Sequence, residues 1–318
     1  MIKNTKGILP QLNIIRAIAS LAVAIFHLGG KSIPGLNYGW LGVQMFFVLT
    51  GFVICWSLPE KYKINQFPNF LLRRLVRIEP PYIFSILLIF IFSYFIHQNT
   101  EKIDTQNVIL HLAYINNFFD NNYLSPVYWT LGIEFQFYIF IGLLFPVLTS
   151  SKYTAILLLI LLNILSFYWR VEQSFVLNFI SYFSLGILVY MFKTFKLAKP
   201  EFYLLILSLF IYMFINIGIS QTVASLVTCM IILYLKSSNF IIDFFSKISF
   251  SLYLTHDTIG SSLVIFIGNL FNSKNILTKA LAFSIGMSAA ILFAYLFYIL
   301  IEKKAIIYSK KFKYIKQG

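Results

Sequence analysis

Charge is what this 318-residue sequence has least of. Asp, Glu, Lys and Arg together make up 11% of it, where soluble domains carry about a quarter. Only 11 residues are acidic. Cysteine is nearly absent: Cys55 and Cys229 both lie inside apolar runs. Two such residues support neither a disulfide framework nor a thiolate metal cluster, no metal is expected, and both cysteines read as packing residues. No small-x-small cleavage site follows the first apolar run before Lys31, so the run after Lys3 and Lys6 reads as an uncleaved first span. What is abundant is apolar, with 59% hydrophobic residues and a mean hydropathy of +0.81. That balance argues against a soluble globular enzyme. At about 20 residues per crossing, ten spans would use roughly 200 residues and leave only short loops.

Ten runs are long and apolar enough to cross: 9–29, 38–58, 80–97, 124–148, 153–169, 175–192, 202–218, 220–235, 246–270 and 277–301. Asn216, Gly218, Ser220 and Gln221 break the stretch from Phe202 to Leu235 into a hairpin of two. The expected fold is all-α, a polytopic membrane protein of about ten helices making one domain over 1–318. With the N-terminus cytoplasmic, 19 of the 25 Lys and Arg fall in cytoplasmic segments. Lys31, Lys102, Arg170, Lys274 and Lys279 fall outside, and Arg16 lies within the first span. This asymmetry fits the positive-inside rule with both termini cytoplasmic, in the inner (cytoplasmic) membrane. The net charge of +14 then mostly sets orientation and contacts anionic membrane lipids, and no nucleic-acid partner is expected. The longest loop, Gln98 to Leu124, carries Glu101, Asp104 and Asp120, and Val108 to Tyr114 within it suits a short interfacial helix.

An ionisable group on a spanning helix is unfavourable by about 2.5 to 3.5 kcal/mol on insertion scales, so each one needs a partner or a function. The residues concerned are Arg16, His27, Glu134, His256 and Asp257. At 100° and 1.5 Å per residue, Arg16 and His27 fall within about 20° of one face and about 16 Å apart along it. Arg16 then lies toward the cytoplasm and His27 near the outer surface. Glu134 sits several turns inside the fourth run, at a depth between the two. Paired with Arg16 it would fix helix register, and paired with His27 it would orient the imidazole; depth alone does not choose. His256 and Asp257 point about 100° apart and form no dyad with each other. A buried histidine is an interhelical hydrogen bonder about as often as a site residue. Arg73, Arg74 and Arg77 precede the third run on the cytoplasmic side, where guanidinium groups suit anionic headgroups or the phosphates of a nucleotide.

The motifs carrying these residues occur in a fixed order. Arg16, ten residues and His27 lie in the first span. Gly39 to Phe52 follows the pattern G-x-x-G-V-D-x-F-F-x-x-S-G-F, with Gln44 in place of Asp and Thr50 in place of Ser. Arg73 to Pro80 follows R-R-x-x-R-I-x-P, and Trp129 to Tyr138 follows W-S-L-x-x-E-x-x-F-Y, with Thr130 for Ser. Ser249 to His256 resembles S-Y-S-x-Y-L-x-H, and Ile301-Glu302 is similar to a terminal I-E-x-P, with Lys304 for Pro. Together they resemble the acyltransferase-3 family of integral-membrane acyltransferases over most of the chain.

The resemblance implies transfer of an acyl group, usually acetyl from acetyl-CoA, to a hydroxyl of a cell-surface or exported carbohydrate. Phosphates of the acyl-CoA donor would dock on Arg73, Arg74 and Arg77, with the pantetheine arm passing Arg16. His27 would act as general base, or carry the acyl group itself, with Glu134 orienting it or pairing with Arg16. The Tyr128 hydroxyl and the Trp129 indole are candidate oxyanion donors, and Gln44, Tyr253 and His256 are further candidate site residues. Some relatives carry a soluble esterase-like domain at the C-terminus; without one, transfer is expected to finish inside the bundle. A transporter or flippase of an envelope glycan precursor is the alternative, since buried polar groups also mark substrate pathways.

Overall fold

A computed structural model describes residues 9–95, 104–119, 122–169, 175–194, 196–271 and 275–314, and every regular element among them is helical. Lys3, Lys6, Lys102, Arg170, Lys274 and Lys316, together with Glu101 and Asp120 of the longest loop, lie outside the described residues. The helices are α1 (Gln11–Leu28), α2 (Gly42–Ser57), α3 (Phe67–Phe95), α4 (Thr105–Leu112), α5 (Trp129–Ser150) and α6 (Lys152–Tyr168). They continue with α7 (Ile180–Lys193), α8 (Lys199–Asn216), α9 (Ile219–Tyr234), α10 (Phe240–His256), α11 (Ser262–Leu270), α12 (Ile276–Phe297) and α13 (Lys303–Ser309). π-helical turns at Asp257–Ser261 and Tyr298–Glu302 join α10 to α11 and α12 to α13.

Among the described residues, eight helical segments have the length and hydropathy to cross a membrane, and the apolar α6 and α9 are shorter. Each of the ten expected runs falls on one of these ten segments. The polar break holds: α8 stops at Asn216, and Gly218 takes a φ of +139° before α9 begins. The short helix expected in the longest loop is α4, capped by Asp104, whose carboxylate accepts from Asn107 N at 3.2 Å. One boundary differs. The expected third span starts at Pro80, but α3 starts at Phe67 and passes through Pro80 and Pro81, so the arginine cluster is helical rather than looped. Pro68 supplies an earlier start, because proline in a first turn lacks only an N–H that has no intrahelical acceptor.

Neighbour contacts give the helix directions. The Phe47 ring of α2 meets Phe183 of α7 at 5.1 Å, and Thr50 of α2 bonds Glu134 of α5. Phe137 of α5 stacks on Phe183 at 3.9 Å, and farther along Phe145 meets Tyr190 at 6.2 Å. Thus α2, α5 and α7 run parallel as a central trio, the relation that a second, fourth and sixth crossing must have. Similarly, Asn13 of α1 bonds Asp243 (2.8 Å) and Ser246 (3.1 Å) of α10 at one end, and His27 meets His256 at the other. These two are also parallel, as a first and ninth crossing must be. Leu204, Ile215, Leu281 and Leu292 on α8 and α12 are exposed, an apolar outer surface suited to lipid.

The α2–α7 contact is a backbone approach. A Cβ on Gly186 would lie 2.2 Å from Val48 O, and one on Gly51 would lie 2.3 Å from Phe183 O. Small residues at such crossings replace the hydrophobic drive that lipid does not supply. Gly186→Ala is expected to force the helices apart and lower stability by about 2 kcal/mol, read as a lower thermal-unfolding midpoint in detergent; an unchanged midpoint would contradict this packing.

Candidate active site

A cavity of about 330 Å³ lies between α1, α2, α3, α5, α10 and the α12–α13 segment. Its charged lining comprises Arg16, Arg74, Arg77 and Lys247 against Glu134 and Glu302, so four cations face two carboxylates. Lys247 is exposed and sits near Ser246 and Asn13 at the end of the bundle where α1, α3 and α10 begin. The walls between the charges are largely apolar, including Val43, Phe46, Leu49, Ile54, Ile78 and Phe250.

Each carboxylate is held by neighbouring helices. Glu134 Oε1 accepts from Thr50 Oγ1 at 3.2 Å and from the Tyr138 hydroxyl one turn along α5. Arg16, Arg74 and Arg77 are the charges around it. The carboxylate left by depth between Arg16 and His27 therefore faces the arginines, and its hydrogen bonds go to hydroxyls. Glu302 Oε2 accepts from Ser251 N (3.1 Å) and Ser251 Oγ (2.5 Å). It is buried at the end of the π-helical turn Tyr298–Glu302, where the wider turn re-aims one side chain relative to regular helix.

The arginine cluster divides. Arg74 and Arg77, one turn apart on α3, both line the cavity, and the Arg74 guanidinium donates to Ser57 Oγ at 2.5 Å. Arg73, turned about 100° from Arg74 along the helix, lies 5.9 Å from the Tyr314 ring and is not among the lining residues.

His27 stands apart from this cavity. Its ring lies 5.3 Å from that of His256, in a tilted edge contact, and Asp257 and Lys31 are its charged neighbours. Tyr253 separates the two regions. Its hydroxyl shares a 2.7 Å hydrogen bond with Thr130 Oγ1, and its ring contacts Phe46 at 5.8 Å on the cavity side and His256 at 6.3 Å on the other. The expected line from Arg16 to His27 is thus two regions with a Tyr253–Thr130 septum between them.

The remaining candidates lie outside the cavity lining. Gln44 is buried and, with its amide nitrogen turned toward them, donates to Trp40 O (3.0 Å) and Leu41 O (3.3 Å). The Trp129 ring packs on Phe179 (5.4 Å) and Phe47 (6.3 Å), and the Tyr128 hydroxyl donates to Ser85 Oγ at 2.8 Å. None of the three lines the cavity. Conversely, Glu302, Lys247, Thr50 and Tyr138 line it without having been singled out as site residues. Glu302 had a signal, a carboxylate closing a long apolar run, whereas Lys247 counted only as an orienting charge.

A family model described as an acyltransferase domain, of the acyltransferase-3 type, matches residues 9–299. A Staphylococcus aureus (strain COL) protein, provisionally named an O-acetyltransferase, is 30% identical over 199 residues, which cover 58% of this chain and 30% of that protein. The peptidoglycan O-acetyltransferase OatA of Listeria monocytogenes serovar 1/2a is 32% identical over 145 residues, covering 41% of this chain and 23% of OatA. The chain spans about three tenths or less of the length of these two relatives. No solved structure matches it.

Removing the Glu302 carboxylate would leave the buried Ser251 groups without their acceptor. Glu302→Ala is expected to lose about 2 kcal/mol, and Glu302→Gln less, because its amide oxygen still accepts. Thermal unfolding of the three proteins checks this, and equal midpoints for parent and Ala would contradict it.

Proposed function

We propose that this chain, which belongs to the acyltransferase-3 family, is a membrane O-acetyltransferase acting as one unit over 1–318. It would move acetyl from cytoplasmic acetyl-CoA to a hydroxyl of a cell-surface or exported carbohydrate on the outer side of the cytoplasmic membrane. The observation that carries the donor side is the excess of cations over carboxylates in an otherwise apolar chamber. Fixed cations in a low-dielectric site favour a polyanion, and guanidinium groups suit phosphate oxygens. Arg74 and Arg77, with Lys247 at the rim, receive the donor's phosphates. The pantetheine arm follows the apolar wall past Arg16 toward Thr130 and Tyr253. A cavity of about 330 Å³ suits the arm better than the whole donor, and leaves the adenosine end near the rim. Glu134 balances the arginines rather than orienting the base.

His27 is half-buried beyond the septum, where it would meet an acceptor arriving from outside. Neutral imidazole takes the hydroxyl proton as the oxygen attacks the thioester carbonyl carbon. The new C–O bond forms, the C–S bond breaks, and the imidazolium returns its proton to the departing thiolate. The Tyr253–Thr130 pair must part for the two substrates to meet. The peptidoglycan named for the Listeria relative supports a carbohydrate hydroxyl as acceptor.

His27→Ala is expected to abolish transfer while expression and melting stay at parent values; near-normal product from the purified variant would overturn the base assignment. Arg77→Ala is expected to raise KM for acetyl-CoA about tenfold with kcat little changed, and Arg73→Ala much less. Equal KM values in steady-state assays would contradict the phosphate assignment.

A further inference from the structure

We propose that His256 is a positioning residue for His27, accepting a hydrogen bond from its imidazole and so fixing which nitrogen meets the acceptor hydroxyl. This rests on the reading of His27 as the base. The first observation is the fixed tautomer of His256. Its Nδ1 lies 2.9 Å from Leu252 O, one turn back on α10, and a carbonyl oxygen only accepts, so Nδ1 carries the hydrogen. In neutral imidazole the lone pair is then on Nε2. The second observation is that this Nε2 is buried without a hydrogen-bond partner, on a side chain with 0% exposure. Buried acceptors are rarely left unused, and one beside a reactive group needs an explanation.

The third observation is the neighbour. The His27 and His256 ring centroids lie 5.3 Å apart with planes at 61°. An end-on N–H···N bond between two imidazoles places the centroids about 5 Å apart. The observed centroid separation matches that length, so in the proposed arrangement it is the orientation of the half-buried His27 ring that changes. The other polar groups around the pair have the following contacts. Asp257 Oδ1 accepts from Ser261 Oγ at 2.8 Å, Lys31 lies 5.2 Å over the Phe26 ring, and Tyr253 bonds Thr130. The parallel packing of α1 and α10, pinned at the far end by Asn13 with Asp243 and Ser246, holds the two histidines at one level.

A directed chain follows: Leu252 O accepts from His256 Nδ1–H, and His256 Nε2 accepts from one N–H of His27. The remaining His27 nitrogen keeps its lone pair for the substrate hydroxyl. When His27 takes that proton, both its nitrogens carry hydrogen, and His256 continues to hold one of them. This is the orienting role that a carboxylate plays in other triads, performed by a neutral histidine. His256 itself, fully buried, does not touch substrate.

The test compares purified His256→Asn, His256→Gln and His27→Ala with the parent in steady-state acetyl transfer, each checked by thermal unfolding. The Gln amide oxygen can stand near the position of Nε2, whereas the Asn amide ends near Nδ1. His256→Asn is expected to lower kcat about 10- to 100-fold, with both KM values unchanged, and His256→Gln to recover most of that loss. Should the Asn protein not fold, His256→Leu tests the same lost acceptor. Parent-like kcat in all His256 variants, equal loss in Asn and Gln, or a change confined to KM would overturn the positioning role while an inactive His27→Ala leaves the base reading standing. An active His27→Ala would overturn both.

Discussion

Three arginines carried into an apolar bundle have to face something, and the mutual placement of Arg16, Arg74 and Arg77 with Glu134 and Glu302 is the constraint on which the rest depends. Burying an ionised group alone is prohibitive, and burying a pair is tolerable only when further hydrogen bonds complete it. Glu134 is completed by Thr50 and Tyr138, and Glu302 by Ser251. The arginines come from α1 and α3, and the carboxylates from α5 and the α12–α13 segment. One electrostatic cluster thereby fixes four parts of the chain around one space. Cations outnumber carboxylates there, so under the proposed function an anionic donor would complete the cluster and its binding would stabilise this region.

Around that cluster the framework is set by backbone proximity. The parallel trio α2, α5 and α7 closes through Gly51 and Gly186 and stacks Phe47, Phe137 and Phe183 between them. The two π-helical turns fall at the site, one after His256 and one ending on Glu302. Such turns lose regular bonding and re-aim side chains, and they recur at functional positions. Here one delivers a carboxylate to the cavity. The other follows the histidine that faces His27.

Depth was legible in the sequence, and azimuth was not. A crossing requires about 20 apolar residues, so the ten helical runs and the polar break at Asn216 to Gln221 could be read directly, as could the placing of Arg16 and His27 near opposite ends of α1. Which residues of different helices meet depends on packing angles that no local pattern encodes. Glu134 therefore had two partners of equal standing. The contact of His27 with His256 was invisible, since it depends on α1 and α10 lying side by side. The apolar run begins only after Arg73, Arg74, Arg77 and Glu79, whereas α3 starts at Phe67 with Pro68 in its first turn. The second-span motif was legible as a resemblance, but its physical content emerges only from contacts. A Cβ on Gly39 or Gly42 would lie 2.2 Å from Ala22 O or 2.4 Å from Ala19 O, and the Gln44 amide serves the carbonyls of Trp40 and Leu41. The motif's glycines thus bring α2 against α1, while Val43, Phe46, Leu49 and Thr50 of the same motif line the cavity.

The central claim is that donor and acceptor approach from opposite ends and meet across Tyr253 and Thr130. It is tested most directly in proteoliposomes of known protein orientation, with radiolabelled acetyl-CoA confined to one face and a membrane-impermeant glycan acceptor to the other. The account predicts labelled glycan only when the donor is on the face bearing Lys247 and the acceptor on the face bearing His27. Product formed only when both substrates share one face would contradict it.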